Sequence, residues 1–455
     1  MSETERQLEF STRGPKHHFF GFHDLVAWNA EENRIACLEV DRIDHIPLSG
    51  QEAALGYVDT DTYDFVQVAS TPGFNFPQGA RQQFWGDTNN IIYNDRVDDQ
   101  WGCSLVDSDS SECLQKLHST AHVISPKTGN VYGINYARLF RLGAYGYNGL
   151  RDQWAEEKAP IADGIFVNNI ENDKPELLVS IADVVAVDTP AGADRYTHYL
   201  THLVMNPSET RIVFLHRYRT GEGETTRMMT VGVDGSNLRC LATGFLSHFD
   251  WQDDDHIVIW GRVGSAVERM RSSKLYSIVP PGLMRMAKKT VRKLILGDRP
   301  GAGGFHWHVF HDSDEPVDTT IADGIITEDG HPMVCPANRD WMINDHYPHP
   351  DGIRTLFLYQ TSTNRRIDLG TYKMLDTKPD EELTRQALEL VSPEAIKTLS
   401  YEALTFTRSG LHCDLHPRWD RSGRQVAFDS IHEGTRQLYV RVVEQYLSEE
   451  AEENE

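Results

Sequence analysis

The sequence is rich in side chains that transfer protons and bind anions or metal ions. It contains 20 histidines and 17 tyrosines, and one dense group ends at the LHRYR segment. There His202 is suited to act as a base or to neutralise a carboxylate, and Arg217 to pair with a carboxylate through two hydrogen bonds. We assign His216 to the same predicted catalytic group and expect Tyr199 to contact substrate. The alternative is a hydrogen-bonded core histidine with a structural salt bridge.

A second group of candidate catalytic residues lies on either side of a short turn. Tyr145 and Tyr147 flank a single glycine in a YGY segment, so their phenols are expected to lie close together. A neighbouring arginine, such as Arg138, lowers the pKa of a phenol and suits it to acid–base catalysis. The alternative is a pair of aromatic rings that stack between structural repeats.

Four residues that are far apart in the chain form a candidate metal site. They are His248, His331, Asp414 and His416. Imidazole together with carboxylate suits one divalent ion, manganese or zinc. Two alternatives remain: His331 and His416 cap turns in a repeated unit, or zinc is held by Cys335 with histidines.

Further polar residues near the N-terminus are candidates for binding a polar substrate. His23 belongs to a group with His17, His18 and Asp24, and Gln78 follows in an FNFPQGARQQFWG segment. We predict that His23 and Gln78 bind substrate, the amide through hydrogen bonds to hydroxyl groups. The alternative for the histidine group is a purely structural role.

A repeated pattern indicates how these residues are positioned. A turn followed by a short β-rich strand begins at Ser125, Asn206, Cys335 and Asp420, and the starts differ by 81, 129 and 85 residues. These intervals are close to two, three and two units of about 42 residues, which is typical of propeller blades. Strand–turn–strand units cannot bury their faces alone, so they must stack or form a ring. The pattern predicts an all-β fold.

Two segments depart from the strand pattern. Helical periodicity appears at 281–296, where one face is basic, and at 378–399, where Ser392-Pro393 divides two short helices. The basic face is suited to guide an anionic substrate, to meet a lipid surface or partner, or simply to be solvated. We predict one domain over 1–443 with these helical insertions, followed by a disordered acidic tail at 444–455.

Composition excludes several classes of function. The net charge of −24 disfavours long-range attraction of the whole protein to nucleic acid. The sequence has no run of 18 apolar residues, so no membrane span is expected. Residues 1–13 lack an apolar signal region and the six cysteines form no CxxC pair, which together predict a cytoplasmic protein with reduced thiols. The segment GAGG at Gly301 precedes an apparent strand and no P-loop occurs, so no nucleotide cofactor is expected.

Several segments resemble the seven-bladed β-propeller polysaccharide lyases, the group of oligogalacturonate lyase and ulvan lyase. They span almost the whole chain and include HHFFGFHDLVAWN from His17, NYARLFRLGAYGY from Asn135, THLVMNPSETRIVFLHRYR from Thr201, GHPMVCPANRDWMINDHYP from Gly330 and CDLHPRWDRSGRQVAFDS from Cys413. The resemblance implies a seven-bladed propeller with short helical insertions. It also implies that an acidic oligosaccharide is the substrate.

The resemblance implies a reaction as well. Such lyases cleave uronate polymers by β-elimination, which requires a cation or metal at the carboxylate, a base and an acid. The resemblance to oligogalacturonate lyase implies that histidines at the ends of blades bind manganese. One of these histidines lies in a His-Pro-aromatic turn, and His416 matches it best. The glutamine ligand of oligogalacturonate lyase has no clear counterpart in this sequence. The position where we would look for it is flanked by His412 and Leu415. Two other functions stay open, a non-catalytic glycan- or protein-binding propeller and a glycoside hydrolase with two facing carboxylates.

Overall fold

The computed structural model describes residues 9–190, 192–220, 223–263 and 304–447. The predicted basic helix at 281–296 and residues 448–455 of the predicted tail lie outside these ranges. The chain divides into two compact units. The first comprises 1–156, 162–180 and 330–455, and the second comprises 157–161 and 181–329.

The first unit consists of four-stranded antiparallel sheets, most of which are formed by strands that follow one another in the chain. The first sheet contains β2 (His17–Phe19), β3 (Arg34–Val40), β4 (Ala53–Asp59) and β5 (Phe65–Thr71). The second contains β6 (Gln83–Phe84), β7 (Asn90–Val97), β8 (Gln100–Asp107) and β9 (Cys113–Leu117). The third contains β10 (Val123–Ser125), β11 (Asn130–Gly133), β12 (Gly164–Asn169) and β13 (Glu176–Ser180). A fourth contains β21 (Met333–Val334), β22 (Trp341–Asn344), β23 (Ile353–Gln360) and β24 (Arg365–Lys373).

The last sheet of this unit joins the two ends of the chain. It is formed by β25 (Arg418–Trp419), β26 (Gln425–Ser430), β27 (Gln437–Val442) and the N-terminal strand β1 (Glu9–Ser11). Strand β1 pairs antiparallel with β27, with Phe10 opposite Val440. The Thr12 hydroxyl continues this contact with the Gln437 side chain at 2.6 Å.

The second unit contains one seven-stranded sheet. Its strands are β14 (His198–Met205), β15 (Arg211–Thr220), β16 (Gly223–Gly232), β17 (Arg239–Trp251), β18 (His256–Val263), β19 (His306–His311) and β20 (Asp318–Ile321). The first part of β17 pairs with β16, and its second part, from Gly244 onward, pairs with β18. The long sheet is therefore two successive four-strand meanders that share β17.

Sheets of the first unit are packed on both faces. In β3, Ile35 and Cys37 belong to one buried cluster with Val440, whereas the alternate residues Ala36 and Leu38 belong to another with Phe76. Successive side chains of a strand point to opposite faces, so a strand with consecutive buried apolar residues must be covered on both sides. Stacked sheets satisfy this requirement.

Short helices interrupt the strands. The first unit contains α1 (Tyr136–Gly143), α3 (Glu381–Ala387), α4 (Pro393–Thr398) and α5 (Tyr401–Leu404), and the second contains α2 (Ile181–Ala186). In the predicted helical segment the helices α3 and α4 are separated at Ser392-Pro393, where the Ser392 hydroxyl caps α4. Among the described residues, no helix is long and apolar enough to cross a membrane.

The prediction of an all-β fold with short helical insertions is confirmed. The number of blades and the single domain over 1–443 stay predictions. Residues Glu444–Tyr446 of the predicted tail form a short 3₁₀ helix.

Candidate metal centre

Three of the four predicted metal ligands converge in the first unit. The side chains of His331, Asp414 and His416 each offer one ligand atom, and these atoms all lie within 4.8 Å of one another. The Nε2 atoms of both histidines are 4.0 Å from the Oδ2 atom of Asp414. All three residues are buried. Three residues that the resemblance predicts as ligands therefore meet in space.

The first strands of two sheets position this cluster. His331 lies two residues before β21, and His416 lies two residues before β25. The backbone of His416 is left-handed, with φ of 42°, a conformation that is uncommon for residues other than glycine. Such strain persists where the surrounding structure over-determines the side chain's position.

Both imidazoles are oriented by a hydrogen bond at Nδ1. The Asp345 carboxylate accepts from the His331 backbone N–H at 2.8 Å and from His331 Nδ1 at 2.7 Å. His416 Nδ1 donates to the Gly21 carbonyl at 2.8 Å. Because carboxylates and carbonyls only accept, both Nδ1 atoms carry a proton, which leaves Nε2 of each imidazole as the atom that can bind a metal ion. Metal-binding histidines are typically arranged in this way.

Asp345 also ties together the two segments that supply ligands. Its second oxygen accepts from the Leu415 backbone N–H at 3.0 Å. Burial raises the pKa of this carboxyl, but the contact with His331 outweighs burial and the pKa is lowered. Asp345 is therefore an anion at neutral pH.

Asp414 is held by one oxygen so that the other faces the imidazoles. Its Oδ1 accepts from Arg354 at 2.8 Å and lies 3.0 Å from Nε2 of His412. Burial raises the pKa of Asp414, yet His412 and Arg354 hold it well below its usual range. The carboxylate is therefore ionised, as a metal ligand must be.

The donor set fits a divalent metal ion. Burial, followed by the nearby His331, lowers the pKa of His416 well below its usual range, so its imidazole is neutral and able to ligate. Two imidazoles and one carboxylate suit manganese or zinc, and binding of the ion would displace any proton on Nε2 of His331. The fourth predicted ligand, His248, lies at a bulge of β17 in the second unit. There its Nδ1 is 3.1 Å from Asp329, and its ring is 6.4 Å from that of His202.

A string of buried polar residues extends from this cluster within the first unit. The His23 ring lies 5.7 Å from the His331 ring and 6.3 Å from the His416 ring. The next residue, Asp24, forms a bidentate ion pair with Arg81 at 2.8 and 2.9 Å. Arg81 in turn donates to the His122 carbonyl at 2.6 Å. The predicted substrate residue His23 is thus beside the metal cluster.

The far end of the string is a tyrosine–histidine pair. The Tyr136 hydroxyl lies 2.7 Å from Nδ1 of the fully buried His122. Tyr136 stacks on Tyr147, with ring centroids 4.1 Å apart, and the Tyr147 hydroxyl accepts from Asn94 at 2.7 Å. Of the two predicted phenols, Tyr147 therefore belongs to this network.

Tyr145 and Arg138 lie elsewhere in the first unit. The Arg408 guanidinium covers the Tyr145 ring at 4.4 Å. Arg138 is buried against Asp152 at 3.3 Å and against Asp163 at 3.9 Å. Its charge is therefore compensated by carboxylates.

The remaining predicted catalytic residues lie in the second unit. Each ring nitrogen of His216 has a partner: Nε2 is 2.9 Å from Nδ1 of His198, and Nδ1 is 3.1 Å from Arg227. Arg217 pairs with Glu224 at 3.5 Å, and Glu224 also accepts from Tyr199. His202 has a left-handed backbone with φ of 55° at a bulge of β14. The catalytic roles of these residues stay predictions. The two hydrogen-bonded ring nitrogens of His216 are typical of a buried structural histidine.

Gln78 is fully buried beside Gly21. A Cβ on Gly21, whose φ is 103°, would lie 2.5 Å from the Gln78 carbonyl group, so only glycine permits this approach. Neither Nε2 nor Oε1 of the Gln78 side chain has a hydrogen-bond partner among the described residues. A buried amide in this state requires a polar ligand or water.

Sequence reasoning missed several members of the site. Tyr136 lies one residue inside the NYARLFRLGAYGY segment. His122 lies three residues before the repeat at Ser125, whereas His331 lies four residues before the repeat at Cys335. A histidine just before the repeat was therefore an available signal for His122, although its spacing differs by one residue. Asp345 and Arg354 carried no such signal, because their roles depend on contacts across sheets.

Comparisons with solved structures identify the fold. An oligogalacturonate lyase in complex with manganese matches with a TM-score of 0.55 and 11% identity, covering 94% of this chain and 90% of that chain. Oligogalacturonate lyase from Vibrio parahaemolyticus matches with a TM-score of 0.54 and 13% identity, covering 96% and 93%. The chain has a β-propeller fold. The β-propeller domain of the trilobed protease from Pyrococcus furiosus also matches, with a TM-score of 0.40, 9% identity and coverage of 81% and 80%.

Sequence comparisons do not add a family. No protein-family model matches the chain, and no curated protein matches it. At 11–13% identity the structural similarity shows the fold alone, because one fold supports many functions.

Proposed function

We propose that the protein is a metal-dependent lyase that cleaves uronate-containing oligosaccharides by β-elimination. The observation that carries the proposal is the buried cluster of His331, Asp414 and His416, with both imidazoles oriented at Nδ1. The shared fold with a manganese complex of oligogalacturonate lyase supports it.

Residues of this chain hold the metal and its ligands. His331, Asp414 and His416 would bind one divalent ion, manganese or zinc. When bound, the ion neutralises the uronate carboxylate and makes the adjacent C–H acidic. Asp345 and the Gly21 carbonyl fix the two imidazoles, and Arg354 fixes Asp414.

The Tyr136–His122 pair supplies the acid–base function in this proposal. Burial lowers the pKa of His122 well below its usual range, so its imidazole is neutral and can accept a proton. Burial also raises the pKa of Tyr136, so its phenol stays protonated at neutral pH and can donate to a leaving oxygen. The Nε2 atom of His122 has no hydrogen-bond partner among the described residues. It is therefore open to a substrate group.

The test is the ultraviolet absorbance of the unsaturated uronate product. Purified protein is incubated with a panel of uronate oligosaccharides, with manganese or with chelator, beside His331→Ala. We expect absorbance to rise with manganese and to vanish with chelator and in the variant. His256→Ala is the matched control, because His256 begins β18 and its exposed side chain pairs with Asp253. New reducing ends without absorbance would indicate a hydrolase, and neither signal would indicate a binding propeller.

A further inference from the structure

Arg418 is a buried cation that lies near carboxylates without a direct ion pair among the described residues. The residue is fully buried in β25. Among the described residues it forms no ion pair with a carboxylate, whereas the equally buried Arg81, Arg354 and Arg436 each form one. A buried charge of this kind is strongly unfavourable unless a partner is present.

Most of the hydrogen-bond donors of Arg418 are unused. Its Nη2 atom donates to the Gly21 carbonyl at 3.1 Å and to the Phe22 carbonyl. Its guanidinium stacks on the Phe20 ring at 3.2 Å. Neither Nε nor Nη1 has an acceptor among the described residues. Three of the five N–H groups of the guanidinium are therefore available to a ligand.

These donors lie next to the candidate metal centre. The Gly21 carbonyl that accepts from Arg418 also accepts from Nδ1 of His416. The backbone of Gln78 packs against Gly21 as well, and the buried side-chain amide of Gln78 has no hydrogen-bond partner among the described residues. One backbone position is thus shared by a metal ligand, a guanidinium with unused donors and the residue that carries an unpaired amide.

We infer that Arg418 and Gln78 form a subsite that binds an anionic sugar beside the metal. Arg418 takes the carboxylate of a uronate residue, and Gln78 takes a hydroxyl group of the same sugar. This inference rests on the proposed function for the identity of the sugar. It gives the first unit a residue that recognises a carboxylate. The role predicted for Arg217 of the second unit is a separate one.

Charge-matched sugars test the subsite. Calorimetry on the full-length protein, with manganese and with chelator, compares D-galacturonate with its methyl ester, which differs in the carboxylate charge. We expect the wild type to prefer the uronate even with chelator. We expect Arg418→Met to lose about 10-fold or more of uronate affinity and to bind the ester and manganese unchanged. Gln78→Leu should weaken both sugars equally.

Thermal melting separates a ligand role from a structural one. We expect D-galacturonate to raise the melting temperature of the wild type but not that of Arg418→Met, because the carboxylate pairs with the Arg418 guanidinium. Arg227→Met is the matched control. Among the described residues, Arg227 is equally buried and forms no ion pair with a carboxylate, and like Arg418 it donates to a backbone carbonyl, that of Val184, and also to Thr189. Arg227→Met removes comparable hydrogen bonds, so this variant should keep the rise in melting temperature with uronate.

Each other outcome has a definite meaning. One such outcome is uronate binding that requires manganese and is unchanged in Arg418→Met. That result would contradict the subsite but not the lyase. Preference for the uronate that is lost in this variant, without any unsaturated product, supports the subsite and contradicts the lyase. If Arg418→Met does not fold, Arg418→Lys is measured, and unchanged uronate affinity in that variant overturns the subsite. Equal wild-type affinity for uronate and ester also overturns it.

Discussion

Asp345 illustrates how a single carboxylate organises the candidate centre. It accepts the backbone N–H and the Nδ1 proton of His331 and also the backbone N–H of Leu415. Hydrogen bonds of this kind fix the tautomer and raise the basicity of a ligating imidazole. The segment that carries His331 and the segment that carries Asp414 and His416 are thereby held in one arrangement.

We predict that Asp345→Asn weakens manganese binding. The amide cannot accept in the same way from both groups of His331, so the imidazole loses its orientation. The loss of affinity should be about 10- to 100-fold, measured by calorimetric titration of manganese. Asp340→Asn is the control, because Asp340 accepts from Ser362 and Gln360 in the same sheet. Equal affinity in wild type and Asp345→Asn would contradict this role.

The phenol of Tyr136 gives a second prediction at this scale. Tyr136→Phe removes only the hydroxyl that contacts His122, so lyase turnover should fall about 10²- to 10⁴-fold while manganese binding is retained. Turnover is followed by the absorbance of the unsaturated product. Tyr359→Phe is the control, since its buried hydroxyl donates to Asn364 in another sheet. A variant as active as wild type would assign the acid to another group.

At the residue scale, sequence reasoning identified ligands better than their supports. The resemblance to lyases with blade-end histidines predicts His331, Asp414 and His416 as ligands, and the structure brings these three side chains together. Arg354 supports Asp414 from another strand at a separation of 60 residues, and no periodicity marks such a contact. Tyr145 and Tyr147 were predicted as a pair, but the structure pairs Tyr147 with Tyr136.

At the scale of elements, helix α1 packs its charged side chains against buried carboxylates. Asn135 caps the helix by accepting from the Arg138 backbone N–H, and its amide donates to Asp163 at 3.0 Å. Burial raises the pKa of Asp163 to about 6, although Arg138 and Asn135 act to lower it. The helix is thus anchored to a carboxyl that resists ionisation.

Asp163 makes stability depend on pH in a defined direction. Between the ordinary carboxyl pKa of 3.8 and about 6, the folded protein holds a proton that the unfolded chain has released. The free energy of unfolding therefore falls as pH rises through this window, by about 3 kcal/mol in total at roughly 1.4 kcal/mol per pKa unit. We predict that Asp163→Asn removes this part of the slope in urea unfolding between about pH 4 and 6.

An exposed carboxylate provides the control for this experiment. Backbone hydrogen bonds from Ser110 and Asp109 lower the pKa of Asp107, so its contribution is present above the ordinary pKa and is lost only at lower pH. Asp107→Asn should therefore keep the wild-type slope in the window of Asp163. An unchanged slope in Asp163→Asn would show that Asp163 is already ionised there.

The element pattern was accessible from sequence for a physical reason. Strand–turn–strand repeats and the break at Ser392-Pro393 depend on local chemistry, namely turn residues, β-propensity and helix capping. The long strand β17 was not predicted, because its two halves pair with different neighbours and each pairing contains a register shift. Pairing partners of this kind are decided by contacts beyond the local sequence.

At the scale of the whole molecule, the N-terminal strand completes the last sheet. Strand β1 supplies the fourth strand beside β27. We predict that deleting residues 1–11 lowers the melting temperature, because β27 loses its partner and becomes an exposed sheet edge. Differential scanning calorimetry of the shortened and full chains measures the change. Deleting residues 448–455 is the control and should leave the melting temperature unchanged.

Metal binding should also be visible in global stability. An ion that binds the folded chain and not the unfolded chain stabilises by about 2.7 kcal/mol at 100 times its Kd. We predict that manganese raises the melting temperature of wild type, that chelator reverses the rise, and that His331→Ala abolishes it. The exposed-site variant His256→Ala should respond like wild type. Equal manganese responses of His331→Ala and wild type would place the ion elsewhere.

The most direct measurement is the anomalous scattering of crystals grown with manganese. The account predicts one strong peak within bonding distance of Nε2 of His331, Nε2 of His416 and a carboxylate oxygen of Asp414. It also predicts that the peak is absent in crystals of Asp414→Asn or His331→Ala. A peak bound by other residues, or ordered wild-type crystals without a peak at these three side chains, would contradict the metal centre and the lyase proposed from it.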